Sequence, residues 1–194
     1  MKKRTAYILG LILFLLMLLV NLDYSFVYGL IALVIISIIF ERKKLWAWIP
    51  AIVISGIWIA IAHRCYYGYD SLKLTVFDVA LFPILAWPLG LMAGFLMIAP
   101  FLKIKIWYKK WIVIFVVYAV GLIMIETVGY NLLGIRLHYG KNYPGWPLLN
   151  CFHMPYWMQL GYFLNGFIFY GITSYIETKR PELIRNRFSG EAGA

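Results

Sequence analysis

The chain has 194 residues, 63% of them hydrophobic and 19% aromatic, with a mean hydropathy of +0.81. Soluble domains run nearer half apolar and a quarter charged, so a water-soluble globular domain is excluded and lipid is the expected solvent. A formal net charge of +10 would suggest nucleic acid in a soluble protein. Here most lysines and arginines stand within a few residues of apolar segment ends, where anionic membrane lipid is the expected partner and nucleic acid is not.

Apolar runs of about 16 to 28 residues without two-residue alternation exclude a membrane barrel and predict spanning helices. Six are predicted, over 6–22, 24–40, 45–63, 74–102, 111–134 and 156–177. The expected fold is an all-α, polytopic bundle with one domain over residues 1–178 and a basic cytoplasmic tail over 179–194.

The first run follows Lys2, Lys3 and Arg4 and resembles a signal peptide. No small-x-small cleavage site follows at residues 21–25, so it is expected to stay as a helix. With the second run it forms a hairpin around Asn21, Leu22 and Asp23, and neither run carries a strongly polar side chain at mid-depth. Arg42, Lys43 and Lys44 separate the second run from the third. The connection over residues 63–73 then collects His63, Arg64, Cys65, Tyr66, Tyr67, Tyr69 and Asp70.

The fourth run is interrupted by Pro83, Pro88 and Pro100, which predicts either a kink or backbone opened toward a cavity, as in transporters. Lys103, Lys105, Lys109 and Lys110 follow it. The fifth run contains Glu126, and the next connection, 135–156, holds Arg136, His138, Tyr139, Lys141, Trp146, Asn150, Cys151 and His153. The sixth presents Gln159, Tyr162, Asn165, Gly166 and Phe169 at helical spacing. They read either as inter-helix glue or as one wall of a slot. Lys179, Arg180, Arg185 and Arg187 come last.

Clusters of cations occupy alternate connections, so both termini are expected on the cytoplasmic side of a plasma (inner) membrane. All three histidines and both cysteines then share the outer side. An aromatic belt explains many of the outer tyrosines and tryptophans, but not the imidazole, thiol and guanidinium groups among them.

Glu126 should lie about 22 Å from the cytoplasmic start of its helix, at 1.5 Å per residue. Asp78 should lie about 6 Å below the outer surface in the fourth helix. The two acids are therefore expected to share an outward-facing pocket, and an acid inside a spanning helix is a functional candidate. The alternative is structural pairing of Glu126 with Arg136, His138, Gln159 or Asn165. Cys65 and Cys151 would form a disulfide between the outer connections or remain two buried thiols. His63, Cys65, Cys151 and His153 lack the usual ligand step, so no metal site is expected. Zincin, P-loop and nucleophile-elbow patterns are absent from the sequence.

The stretch ETVGYNLLGIRLHYGKNYPGWPLLNCFHMPYWMQLGY, residues 126–162, resembles integral membrane carotenoid-biosynthesis proteins of the hydratase and small lycopene-cyclase type. The likeness rests on an ETxG start inside a helix, a Tyr-Gly loop, a turn at Gly145, Trp146, Pro147 and Leu148, and a Trp in the last helix. It covers about a fifth of the chain. The N-terminal half lacks the PxEE acidic pair of the cyclases.

That resemblance implies protonation of a polyisoprenoid double bond, giving a tertiary cation that water or an internal alkene captures. Glu126 would be the acid, and Tyr130, Tyr139, Trp146 or Trp157 would shield the cation. Asp78 or His138 would position water, and Gln159 and Asn165 would line the slot for an apolar small-molecule substrate. No cofactor or metal is required. A small transporter or channel, and an accessory subunit of a larger membrane complex, are the other expectations. A homo-oligomer is compatible with each of them.

Overall fold

The α1–α2 hairpin turns at Asn21, whose side-chain oxygen accepts the Tyr24 N–H at 3.2 Å and caps α2. In the computed structural model, which describes residues 3–181, α1 spans Lys3–Val20 and α2 spans Leu22–Phe40. A short 3₁₀ segment, Arg42–Ala47, leads into α3 (Trp48–Ala62). The strands β1 (Thr75–Val76) and β2 (Val79–Ala80) precede α4 (Leu81–Ile98), α5 (Trp107–Asn131) and α6 (Tyr156–Lys179). Lys2, Arg185, Arg187 and most of the basic tail lie outside the described residues.

The chain is all-helical apart from that hairpin. Among the described residues four stretches are long and apolar enough to cross a membrane: Leu22–Phe40, Arg42–Cys65, Leu81–Phe101 and Trp107–Asn131. In α1 the apolar helix is the shorter Tyr7–Leu18. The 24-residue α6 is diluted by the buried polar residues Gln159, Asn165, Thr173 and Ser174.

The fourth helix begins at Leu81, not at residue 74. Residues before it fold back as an antiparallel hairpin in which Thr75 pairs with Ala80 and Val76 with Val79. Its two central residues, Phe77 and Asp78, have φ of 50° and 62°, the conformation a tight two-residue turn needs. Asp78 is consequently exposed at a loop tip instead of inside a helix. The prolines do not break α4. Pro83 falls in its first turn, where backbone N–H groups have no intrahelical acceptor. The helix continues through Pro88, and Pro100 lies in the 3₁₀ turn that follows.

The centre of the bundle is α3, α4 and α6, with α5 laid along α6, α2 along α4, and α1 against α2 alone among its main contacts. Glycine lets α6 come close to its neighbours. A Cβ at Gly161 would overlap the Trp58 ring of α3, and one at Gly166 would overlap the Tyr118 ring of α5. Trp111 adds a bond across the second contact, its Nε1 donating to the Phe167 carbonyl at 2.8 Å.

The two ends of the bundle differ. At one, Lys110 Nζ meets Glu177 at 2.6 Å between α5 and α6, near Lys179 and on the same end as Lys44, which lies 5.3 Å over the Phe95 ring. At the other, the Asp23 carboxylate accepts the Lys73 N–H at 3.0 Å and the Leu74 N–H at 3.3 Å. This bond ties the α1–α2 turn to the connection that follows α3.

Candidate functional site

Four aromatic side chains from four parts of the chain meet beneath the histidine-rich connections. Trp58 comes from α3, Tyr66 from the connection after it, Trp87 from α4 and Tyr162 from α6. The Tyr66 oxygen accepts the Trp58 indole N–H at 3.0 Å and the Trp87 indole N–H at 3.3 Å, and its hydroxyl donates to the Tyr162 oxygen at 3.0 Å. The rings pack edge to face, with Trp87 and Tyr162 centroids 4.6 Å apart and Trp58 and Tyr162 centroids 5.9 Å apart. Tyr66 is wholly buried. Buried Tyr and Trp side chains carry one polar atom that must be bonded, and this cage bonds them to one another.

The cage has one hydrogen too many. Two indoles and two phenols bring four donor hydrogens, and the three bonds use three of them. Whichever way the hydroxyls turn, one phenolic O–H is left without an acceptor among the described residues. Tyr118 does not supply one, because its hydroxyl donates to the Tyr162 backbone carbonyl at 2.8 Å.

Glu126 stands on α5 beside this cage, with Tyr66, Tyr69, Tyr118, Tyr162 and Cys151 all within electrostatic reach of its carboxyl. It is half-buried and makes no hydrogen bond or ion pair among the described residues. The structural pairing with Arg136, His138, Gln159 or Asn165 is therefore not formed. Glu126 is thus an acid in a spanning helix with no basic partner among the described residues.

Two further buried polar side chains, Ser55 and Asn165, stand on α3 and α6. Trp58 packs on Gly161 and rests 6.0 Å from the Trp157 ring, which sets the register of the antiparallel α3 and α6. Ser55 Oγ and Asn165 Nδ2 are both sealed from solvent and unbonded among the described residues. Each leaves an unmet hydrogen bond, which is costly unless a water or a ligand atom meets it.

The other sequence candidates separate into distinct places. Gln159 is saturated: Nε2 donates to the Phe152 and Met154 carbonyls at 3.2 and 2.9 Å, and Oε1 accepts the Trp146 indole at 3.0 Å. It is a fastener for the last connection. These bonds hold Phe152 at a φ of 56°, a conformation rare for a bulky residue and found where surroundings over-determine the backbone. The Tyr130 ring is occupied by His153, stacked 4.0 Å away, and by the Arg136 guanidinium at 5.0 Å. Trp157 is half-exposed on the flank of Trp58.

The disulfide is not formed. Cys65 and Cys151 are both buried and free, and belong to one apolar cluster with the cage. Each sulfur has a different partner: Cys65 the Tyr139 hydroxyl, Cys151 the Thr127 hydroxyl. Burial pushes the Cys151 thiol up, against the Thr127 bond. The Tyr139 hydroxyl is pushed up to about 12, chiefly by its hydrogen bond with Tyr143.

His138 is a clamp and not a neighbour of the acid. Its Nε2 lies 2.9 Å from Asp70 Oδ1, and Lys141 Nζ lies 3.0 Å from the same oxygen. Backbone bonds run alongside, from Asp70 N–H to the Arg136 carbonyl and from His138 N–H to the Gly68 carbonyl, both at 3.0 Å. The two connections are thus zipped over the cage.

The hydrogen bond from Lys141, helped by the Lys141 and His138 charges, holds the Asp70 carboxyl below the usual range. A depressed acid stabilises the fold above its ordinary value, about 3.9, and loses that contribution as pH falls through the depressed value. Hydrogen-exchange protection of the Asp70 and His138 amides should therefore drop below about pH 4. Asp70→Asn should weaken that protection above about pH 4, where the wild-type carboxylate is ionised, and abolish the acid step.

Trp58, Tyr66 and Trp87, which anchor the site, were not among the sequence candidates. Compared with protein-family models, curated proteins and solved structures, the chain matches none.

Proposed function

We propose that the chain is a six-pass plasma-membrane enzyme that protonates a double bond of a polyisoprenoid or similarly apolar lipid, with Glu126 as the acid. The observation that carries this reading is the unpaired, half-buried Glu126 carboxyl beside an aromatic cage with a surplus hydroxyl. In the first step the alkene π pair takes the Glu126 proton, forming a C–H bond and a tertiary cation. The carboxylate left behind accepts the spare O–H of the Tyr66–Tyr162 pair. The faces of Trp58, Trp87 and Tyr162 are electron-rich and stabilise the cation. A water or a neighbouring alkene then attacks, and the proton lost from that adduct returns to Glu126. Ser55 and Asn165 offer a place for a polar atom of the substrate or for a water below the cage.

The reaction leaves an isotopic mark. Reconstituted protein incubated with linear polyisoprenoids in D₂O should yield product carrying a carbon-bound deuteron at the protonated alkene carbon. Unchanged lipid across such substrates, with a larger membrane protein recovered in fixed stoichiometry, would instead favour the accessory-subunit reading.

The orientation has its own test. Leu148 is 98% exposed in the last connection. With the native thiols buried, Leu148→Cys should react with an impermeant maleimide on intact cells, and Lys43→Cys only after permeabilisation. The opposite pattern would invert the proposed topology.

A further inference from the structure

A groove of about 420 Å³ runs between α2, α3 and α4, away from the cage. On α2 its wall is Leu30, Val34 and Ile38; opposite are Leu45, on the segment leading into α3, and Trp48 and Ile52 of α3 itself. Pro88 of α4 forms part of its floor. Ile38 and Ile52 are exposed, so the groove is open along its length to whatever surrounds the helices.

One end of this groove is chemically different from the other. Arg42 folds back over it, its Nε donating to the carbonyl of the wall residue Ile38 at 3.2 Å. That single bond fixes the guanidinium at the rim and leaves its terminal N–H groups free. Lys43 is next to it, and neither Arg42 nor Lys43 makes an ion pair among the described residues. Below them the Trp48 ring contributes apolar surface to the wall, and no polar atom of the lining is presented to the groove.

We propose that this groove binds one anionic phospholipid, its acyl chain along the apolar wall and its phosphate on Arg42 and Lys43. Charge complementarity selects the headgroup: two exposed cations at a membrane surface favour an anionic lipid, while the apolar wall serves any acyl chain alike. A free phosphate would gain nothing from the groove, and a hydrocarbon would gain nothing from its rim. The site is separate from Glu126, so it stands or falls independently of the proposed reaction.

The test uses the full-length protein in detergent, stripped of native lipid. Phosphatidylglycerol and phosphatidylcholine with identical acyl chains, brominated along the chain, are titrated while tryptophan fluorescence is read. Quenching that is missing from Trp48→Phe is assigned to the groove. Phosphatidylglycerol should quench Trp48 at about tenfold lower concentration than phosphatidylcholine, and R42Q/K43Q should erase that difference. Val34→Trp, which fills the groove, should remove the Trp48-dependent quenching by both lipids. Equal affinity of the two headgroups in the wild-type protein would overturn the proposal without recourse to any variant. So would a preference that survives R42Q/K43Q, or tighter retention of a free fatty acid than of phosphatidylglycerol.

Discussion

Glu126→Gln is expected to lower turnover about 10²- to 10⁴-fold, the usual contribution of a positioned general acid. The same variant should leave thermal unfolding within about 0.5 kcal/mol of wild type, as changes that break no interaction generally do. That separation follows from the carboxyl having no bonded partner to lose. Gln keeps the shape and a hydrogen-bond acceptor but has no acidic proton to give. Glu126→Asp, which keeps the proton and withdraws it by one methylene, should restore part of the rate. Turnover in reconstituted membranes and unfolding in detergent check the two halves. A large loss of stability in Glu126→Gln would make the acid structural, and an unchanged rate would remove it from the chemistry.

Tyr66→Phe should be among the most destabilising single changes in the molecule. It removes one oxygen and strands both the Trp58 and Trp87 indoles, while depriving Tyr162 of its donor. An orphaned buried donor costs about 1–3 kcal/mol, so the expected loss is about 2–6 kcal/mol. A double-mutant cycle identifies the cause. Trp87→Phe should cost clearly less in the Tyr66→Phe background than in wild type, because its N–H has already lost its acceptor. Additive losses would mean that the indoles contribute packing alone.

Much of the architecture is legible from where lysine, arginine and hydrocarbon fall. Long apolar runs must become helices because lipid offers no partner for an open backbone. The stretch 74–80 escaped that logic. Leu74, Val76, Phe77, Val79 and Ala80 read as helix, and the turn at Phe77 and Asp78 adopts positive φ without the Gly or Asn that usually announces it. The site was only half visible. Glu126 is conspicuous because an acid in an apolar run is costly wherever it lies. Trp58, Tyr66 and Trp87 are not, since single aromatics in such runs read equally well as belt or as packing. Their convergence depends on helix order and register, which composition does not encode. One signal was available: a Trp in mid-helix needs an acceptor if it is buried, and Trp58 and Trp87 both occupy such positions. Gln159 shows the converse. Its polarity read either as glue or as the wall of a slot, and its bonds to Trp146, Phe152 and Met154 use both N–H donors in fastening the last connection.

The zipper between the Gly68–Asp70 and Arg136–His138 backbones roofs the cage on the aqueous side. For the proposed reaction, a hydrophobic reactant would therefore have to approach sideways, out of the bilayer, and its product depart the same way. Under the proposed function, catalysis beneath such a roof would be a two-dimensional process. Its velocity should track the mole fraction of substrate in the membrane and fall when inert lipid is added, even while the amount of substrate per millilitre stays constant.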